Sequence, residues 1–129
     1  MRNRTSPLTR FAMVVAAGLL LPTLLAAHAT LQKTQPSDGA TLSTPPSVIQ
    51  LWFDEEVDVK VSKIELTGPS GKVALGPTHM MGKDEKSVMA DVPGKLANAA
   101  YTVAWQTAAA DDGHVSKGEF KFTLKQASH

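Results

Sequence analysis

Tyr101-Thr-Val-Ala-Trp-Gln-Thr107 decides the fold: Tyr101, Val103 and Trp105 alternate with smaller or polar residues, and a period of two puts the large apolar side chains on one face of a β-strand. The alternation returns in Lys117–Leu124, where Phe120, Phe122 and Leu124 share a face. Comparable runs lie near Ala29–Thr34, Val48–Phe53, Lys63–Thr67, Lys72–Leu75 and Ser87–Val92. No 11-residue stretch keeps a 3.6 period. Between the runs stand Pro36-Ser-Asp-Gly39, Pro45-Pro46, Gly68-Pro-Ser-Gly71, Pro93-Gly94 and Asp111-Asp-Gly113, residues that fix φ or tolerate positive φ. The expected fold is therefore all-β, a seven-stranded Greek-key β-sandwich, its core built from the two aromatic faces with Trp52 or Phe53, Ile64 and Leu66. The tail after Lys125, including His129, is expected to fray.

The 129 residues suffice for one small domain, not two. Lys and Arg number 13 against 12 Asp and Glu, too even a balance for nucleic-acid binding. There is no cysteine, which excludes disulfides, thiolate nucleophiles and Cys-ligated metal centres. Metal chemistry would fall to His, Met and carboxylates. A domain this size has little interior for a deep pocket, so a surface site is expected.

Residues 1–27 read as a cleaved secretory signal. Arg2, Arg4 and Arg10 precede an apolar stretch from Phe11 to Ala27, which Gly18 and Pro22 interrupt. That stretch is shorter than the roughly 20 apolar residues of a spanning helix. Leu25-Ala-Ala27 predicts a cut before His28, leaving 28–129 as the mature domain, whereas Ala27-His-Ala29 predicts a cut after Ala29 that discards the histidine. The cleavage pattern alone leaves both open. The mature domain loses three arginines and no acids, so it is mildly acidic.

Asp112-Gly-His114 offers a carboxylate and an imidazole on one side if its backbone is extended; by itself it reads more readily as a hairpin turn with His114 an exposed side chain. If the mature chain starts at His28, the α-amino nitrogen and imidazole Nδ1 can chelate one metal ion. In a Greek-key sandwich the N-terminal strand can lie close to the last strand, joining His28 to Asp112 and His114 in an N,N,N,O set that suits Cu(II), with Zn(II) the nearest competitor. His79, Met80, Met81 and Met89 form a second candidate, since imidazole and thioether donors favour Cu(I). Met is as readily a filler of core gaps, but Val88, Ala90 and Val92 define the buried face of their run, which turns Met89 outward beside Asp91. Asp54-Glu-Glu56 and Asp58 read as solvated carboxylates rather than an acid/base pair.

Taken together, His28 after a signal, Pro36-Ser-Asp-Gly39, Leu51-Trp-Phe-Asp-Glu55, Gly76-Pro-Thr-His-Met80, Tyr101-Thr-Val-Ala-Trp105 and Asp112-Gly-His114 ahead of Gly118-Glu-Phe-Lys-Phe122 resemble the CopC family of periplasmic copper-binding, copper-resistance proteins. The resemblance runs over essentially all of residues 28–129. It implies a cupredoxin-like or immunoglobulin-like sandwich that holds Cu(II) through His28, Asp112 and His114, with the cut before His28. Some members also bind Cu(I) through a Met-rich loop with a His at the opposite end of the sandwich; the nearest equivalent here is His79, Met80, Met81 and Met89. Met-rich members carry a denser Met-x-x-Met series than the adjacent Met80-Met81, which favours a Cu(II) protein over one that also holds Cu(I). Val115 stands where the family often has Pro. Glu55 matches an acidic position and is a candidate partner of His28 outside the ligand set.

The expected function is noncatalytic: a periplasmic carrier that captures Cu(II), sequesters or carries it for copper homeostasis and resistance, and hands it to an inner-membrane transporter of the CopD type. A monomer is expected. The alternative is a copper-dependent oxidase or oxygenase, since polysaccharide oxygenases also use an N-terminal histidine brace on a β-sandwich. Such enzymes have an extended substrate face, and this chain has few aromatics to stack on sugars.

Overall fold

The computed structural model describes residues 29–127; the leader expected at 1–27, His28 and His129 lie outside the described residues. Among the described residues, nine strands make two sheets: β1 (Leu31–Gln35), β2 (Ala40–Leu42), β3 (Val48–Phe53), β4 (Lys63–Gly68), β5 (Gly71–Val73), β6 (His79–Met81), β7 (Asp84–Asp91), β8 (Ala99–Ala108) and β9 (Val115–Leu124). A four-stranded sheet has the order β1-β3-β7-β6 and a five-stranded sheet the order β2-β9-β8-β4-β5. Each of the seven expected runs coincides with a strand. The two additional strands, β2 and β6, are three residues long, too short for alternation to register.

The two stretches with the clearest alternation form one long hairpin, antiparallel from Ala99↔Leu124 to Ala108↔Val115. Tyr101, Val103 and Trp105 on β8 and Phe120, Phe122 and Leu124 on β9 are all buried. From the opposite sheet come Ile49, Leu51 and Phe53 of β3 with Val88 and Ala90 of β7. Phe53 meets Trp105 edge to face at 5.3 Å, and Tyr101 stacks on Phe122 at 5.4 Å. Aromatic contacts of this kind add to the burial of apolar area. Tyr101 also donates its hydroxyl hydrogen to Ala97 O at 2.6 Å, which keeps the buried phenol satisfied. The question of Trp52 or Phe53 resolves by the same period: Phe53 points inward, and Trp52 lies on the outer face beneath Lys33 Nζ, 4.6 Å from its ring centre.

β1 pairs with β3, and the neighbour of β9 is β2, in parallel register from Ala40↔Phe122 to Leu42↔Leu124. One expectation is corrected. The segment after Lys125 is not frayed as far as it is described. Lys125 N donates to Leu42 O, and Gln126 is clasped by Asn98, its N and Nε2 both donating to Asn98 Oδ1 at 2.8 and 3.0 Å.

Candidate metal centre

The described chain begins at the end of the sandwich where β8 turns into β9. Thr30 N donates to Asp54 Oδ1 at 2.7 Å, and Asp54 N returns a bond to Thr30 O at 3.0 Å. Ala29, just before, is buried. The loop that continues from Asp54 is sewn to the far hairpin: Ala110 N donates to Glu56 O, Asp58 N donates to Ala108 O, and Val57 bridges Ala109. The chain start and the Asp112-x-His114 loop thus share one end of the molecule, joined through residues 54–58.

The backbone around Asp112 is a turn, not the extended form that the side-by-side projection assumed. Ala109 N donates to His114 O and Gly113 N to Ala109 O, both at 2.9 Å. Gly113 closes the turn at φ +73°, a conformation that favours a residue without Cβ. Asp112 and His114 are nevertheless held together: Asp112 Oδ1 accepts the His114 amide at 3.0 Å, an Asx-type contact. That bond uses one of the two Asp112 carboxylate oxygens. Both residues are exposed.

Around this loop the carboxylates gather. Asp54, Glu55, Glu56, Asp58, Asp84, Glu85, Asp111 and Asp112 are eight of the chain's 12 acids, brought to one end by the bonds above and by Val57 N donating to Glu85 O. A shallow depression of about 290 Å³ is lined by Asp54, Glu55, Glu56, Lys86 and Asp111. Glu85 shows the crowding: a hydrogen bond with the Glu56 carboxyl, then the Glu56 charge, with a small part from burial, raise its pKa above the ordinary glutamate value. Such a surface raises the local concentration of cations. Among the described residues no three His, Asp or Glu side chains converge closely enough to hold a metal ion by themselves. The loop offers two donors, Asp112 and His114, and the two nitrogens expected from His28 lie outside the described residues.

The second candidate lies on the outer face of the four-stranded sheet. His79 pairs directly with Met89, and Met89 pairs on its other side with Gln50. Met89 is turned out of the core between buried Val88 and Ala90, as the alternation predicted. Gln50 Nε2 donates to Met81 Sδ at 2.9 Å, which ties that thioether to β3. His79 Nδ1 lies 3.0 Å from Met80 O, and His79 Nε2 lies 3.9 Å from Asp91 Oδ1. Gln50 and Asp91 escaped the sequence reading as members of this group, although their positions two residues from Trp52 and Met89 already put them on the outward face. Asp54, a solvated carboxylate by its sequence context, is bonded to Thr30 through a contact 24 positions apart, which no local pattern reports.

Known proteins carry the same frame. Residues 31–125 match the CopC domain. Copper resistance protein C of Pseudomonas syringae pv. tomato is 30% identical over 129 residues, covering 95% of this chain and 98% of the relative. The crystal structure of CopC from Methylosinus trichosporium OB3b superposes with a TM-score of 0.72 at 23% identity, covering 79% of this chain and 98% of that one. PcoC, a methionine-rich copper resistance protein from Escherichia coli, superposes at 0.67 with 30% identity over 77% of this chain and 100% of its own. With its two-sheet sandwich and a domain match that spans nearly every described residue, this chain belongs to the CopC family.

Proposed function

We propose that the chain is an exported, noncatalytic copper-binding protein of the periplasm, which captures Cu(II) and carries or sequesters it in copper homeostasis and resistance. Cleavage before His28 supplies the amino nitrogen and imidazole of that residue, and Asp112 and His114 complete the donor set. Nitrogen and oxygen donors in this combination suit the cupric ion, which also stands highest in the affinity order of the divalent first-row metals. Glu55 assists from outside the ligand set. The cargo passes on to an inner-membrane transporter of the CopD type.

The observation that supports this reading best is the hydrogen-bonded link from Thr30 through Asp54 and Glu56 to Ala110. It brings the start of the described chain to the loop that carries the Asp-x-His pair, amid most of the protein's carboxylates. Copper then occupies an open surface site from which a partner can take it.

Titration of the chain 28–129 with Cu(II), followed by electron paramagnetic resonance, tests the reading. One type-2 signal saturating at one equivalent is expected, and His114→Ala and Asp112→Asn should each alter it. Binding should weaken as pH falls, because the donors must lose protons to coordinate. Absence of a bound signal at equimolar copper would contradict the assignment.

A further inference from the structure

The outer face of the five-stranded sheet changes character toward the metal loop. Ser62 is extended and turned inward, its hydroxyl bonded to that of Thr107 at 2.6 Å, so its neighbours Val61 and Lys63 point outward. Asp58 N donates to Ala108 O, which together with the Ser62 bond holds the short helical turn Val59–Val61 beside Ala108. The strand partner of Ala108 on its other side is Val115, the residue directly after His114. Val61 and Val115 are the large apolar side chains left exposed among the described residues, at 50% and 54%. Scattered singly, such residues are ordinary; flanking one alanine at the end that carries Asp112 and His114, they form a patch that water covers at a cost.

The next row along the sheet, roughly 6.6 Å away, is Lys63, Gln106 and Lys117, paired across three strands. Neither lysine has a carboxylate partner among the described residues. Beyond them Ala104 lies between Glu65 and Glu119, and its small side chain leaves a hollow of about 450 Å³ that all six residues line. Glu65 is engaged by Lys72 at 3.4 Å, so two lysines face Glu119 alone and the hollow is positive. Lysines on strands two apart stand roughly 9–10 Å from each other. Their flexible stems let both ammonium groups, with the Gln106 amide between them, meet one carboxylate set over the row.

We propose that this face docks the protein that receives the copper, an acceptor whose surface carries a carboxylate beside an apolar side chain. The acid seats over Gln106 between Lys63 and Lys117, and the apolar group covers Val61, Ala108 and Val115. The inference rests on the delivery role proposed above and names the surface by which that delivery is made. Docking here leaves Asp112 and His114 at the edge of the contact, where the ion can cross without the carrier opening. A lipid surface suits the face poorly, because anionic headgroups would meet the carboxylates gathered at the same end, and a hollow takes a side chain rather than a bilayer. A second copy, turned so that its acids met these lysines, would bring its own metal loop into the contact and close both sites to an acceptor.

The probe is a CopD-type transporter in nanodiscs of neutral lipid, onto which the Cu(II)-loaded chain 28–129 is titrated by biolayer interferometry. Val61→Asp, and separately Lys63→Glu with Lys117→Glu, should each raise Kd at least about tenfold, the loss of a central interface contact. Their copper signal under electron paramagnetic resonance should stay that of the parent. Lys63→Arg with Lys117→Arg keeps the charges and should bind as the parent does. Lys95→Glu with Lys125→Glu makes the same change of net charge at the far end of the β8–β9 hairpin and should leave Kd unchanged; an equal loss there overturns the proposal in favour of net charge alone. Parent-like binding by the Val61 and lysine variants overturns the surface and leaves delivery standing. If the parent binds transporter-bearing nanodiscs no better than empty ones, the delivery role fails and this inference with it, while the copper titration still reads the metal site by itself. Retention of the parent on phosphatidylglycerol vesicles, or self-association in sedimentation velocity that the variants abolish, assigns the face to a membrane or to a second copy and overturns the acceptor.

Discussion

At the level of single residues, the candidate site depends on Gly113 and on the carboxylates around it. Gly113 sits at φ +73° with open space where a Cβ would stand, so Gly113→Ala costs backbone strain alone, about 1–2 kcal/mol. That loss should appear as a lower urea midpoint, and copper affinity should fall with it because Asp112 and His114 flank the turn. Glu85 provides a pH signature. Its pKa is raised by Glu56 in the folded chain and returns to the ordinary glutamate value on unfolding. Between those two pKa values the folded state binds more protons, so stability falls as pH rises through the window and stays lower above it. Glu85→Gln should therefore be more stable than the parent at neutral pH and should lose this slope, as read from denaturant midpoints across the acid range; an unchanged slope would remove the Glu56–Glu85 pair as its cause. In the sequence, the residue types of Asp112-Gly-His114 were legible but their geometry was not. The pair is joined by a side chain bonding its own backbone within a turn, a contact that alternation cannot reveal.

Among the elements, the β8–β9 hairpin governs both the core and the position of the loop. Gly118 faces Trp105 across it, and a Cβ there would come within 2.9 Å of Trp105 Cζ2. Gly118→Ala must push a ring that is packed against Phe53, so it should destabilise by about 1–3 kcal/mol, measured by denaturation with Trp fluorescence as the probe. A neutral outcome would mean that the ring has free space to move. These long strands were readable because each carries enough alternating residues to show its face. β2 and β6 were not, being three residues each and held by neighbours: Ala40–Leu42 by parallel pairing to β9, and His79–Met81 by β7. The outward turn of Met89 was legible from Val88 and Ala90. That Gln50 holds Met81, and that Asp91 faces His79, required knowing which strands are adjacent.

Across the whole molecule, charge is sorted by position. The candidate copper end carries eight acids, in residues 54–58, at the start of β7 and in residues 111–112, while Lys63, Lys72, Lys117 and Lys121 lie exposed on strands of the five-stranded sheet. A negative end draws in a divalent cation faster than neutral collision would, and salt screens the attraction. The rate of Cu(II) capture in stopped flow should fall on the order of tenfold between low and high ionic strength. Glu55→Gln combined with Asp111→Asn should flatten that dependence while leaving the donor set intact; equal salt dependence in the variant would contradict the steering role. The sandwich and its family were accessible from sequence because the motifs span nearly the whole domain. The charge sorting was not, because the acids come from three separated segments, two loops and the start of β7, that only the fold unites.

Copper capture as proposed makes the amino group of His28 itself a donor. Its most direct test compares two mature proteins, one beginning at His28 and one with a single Gly placed before it, by Cu(II) titration under electron paramagnetic resonance. With the amino group as a ligand, the extension should weaken the first binding event by more than the roughly 10–100-fold of a change outside the ligand set and alter the nitrogen couplings of the signal. Identical affinity and identical spectra from the two proteins would contradict it.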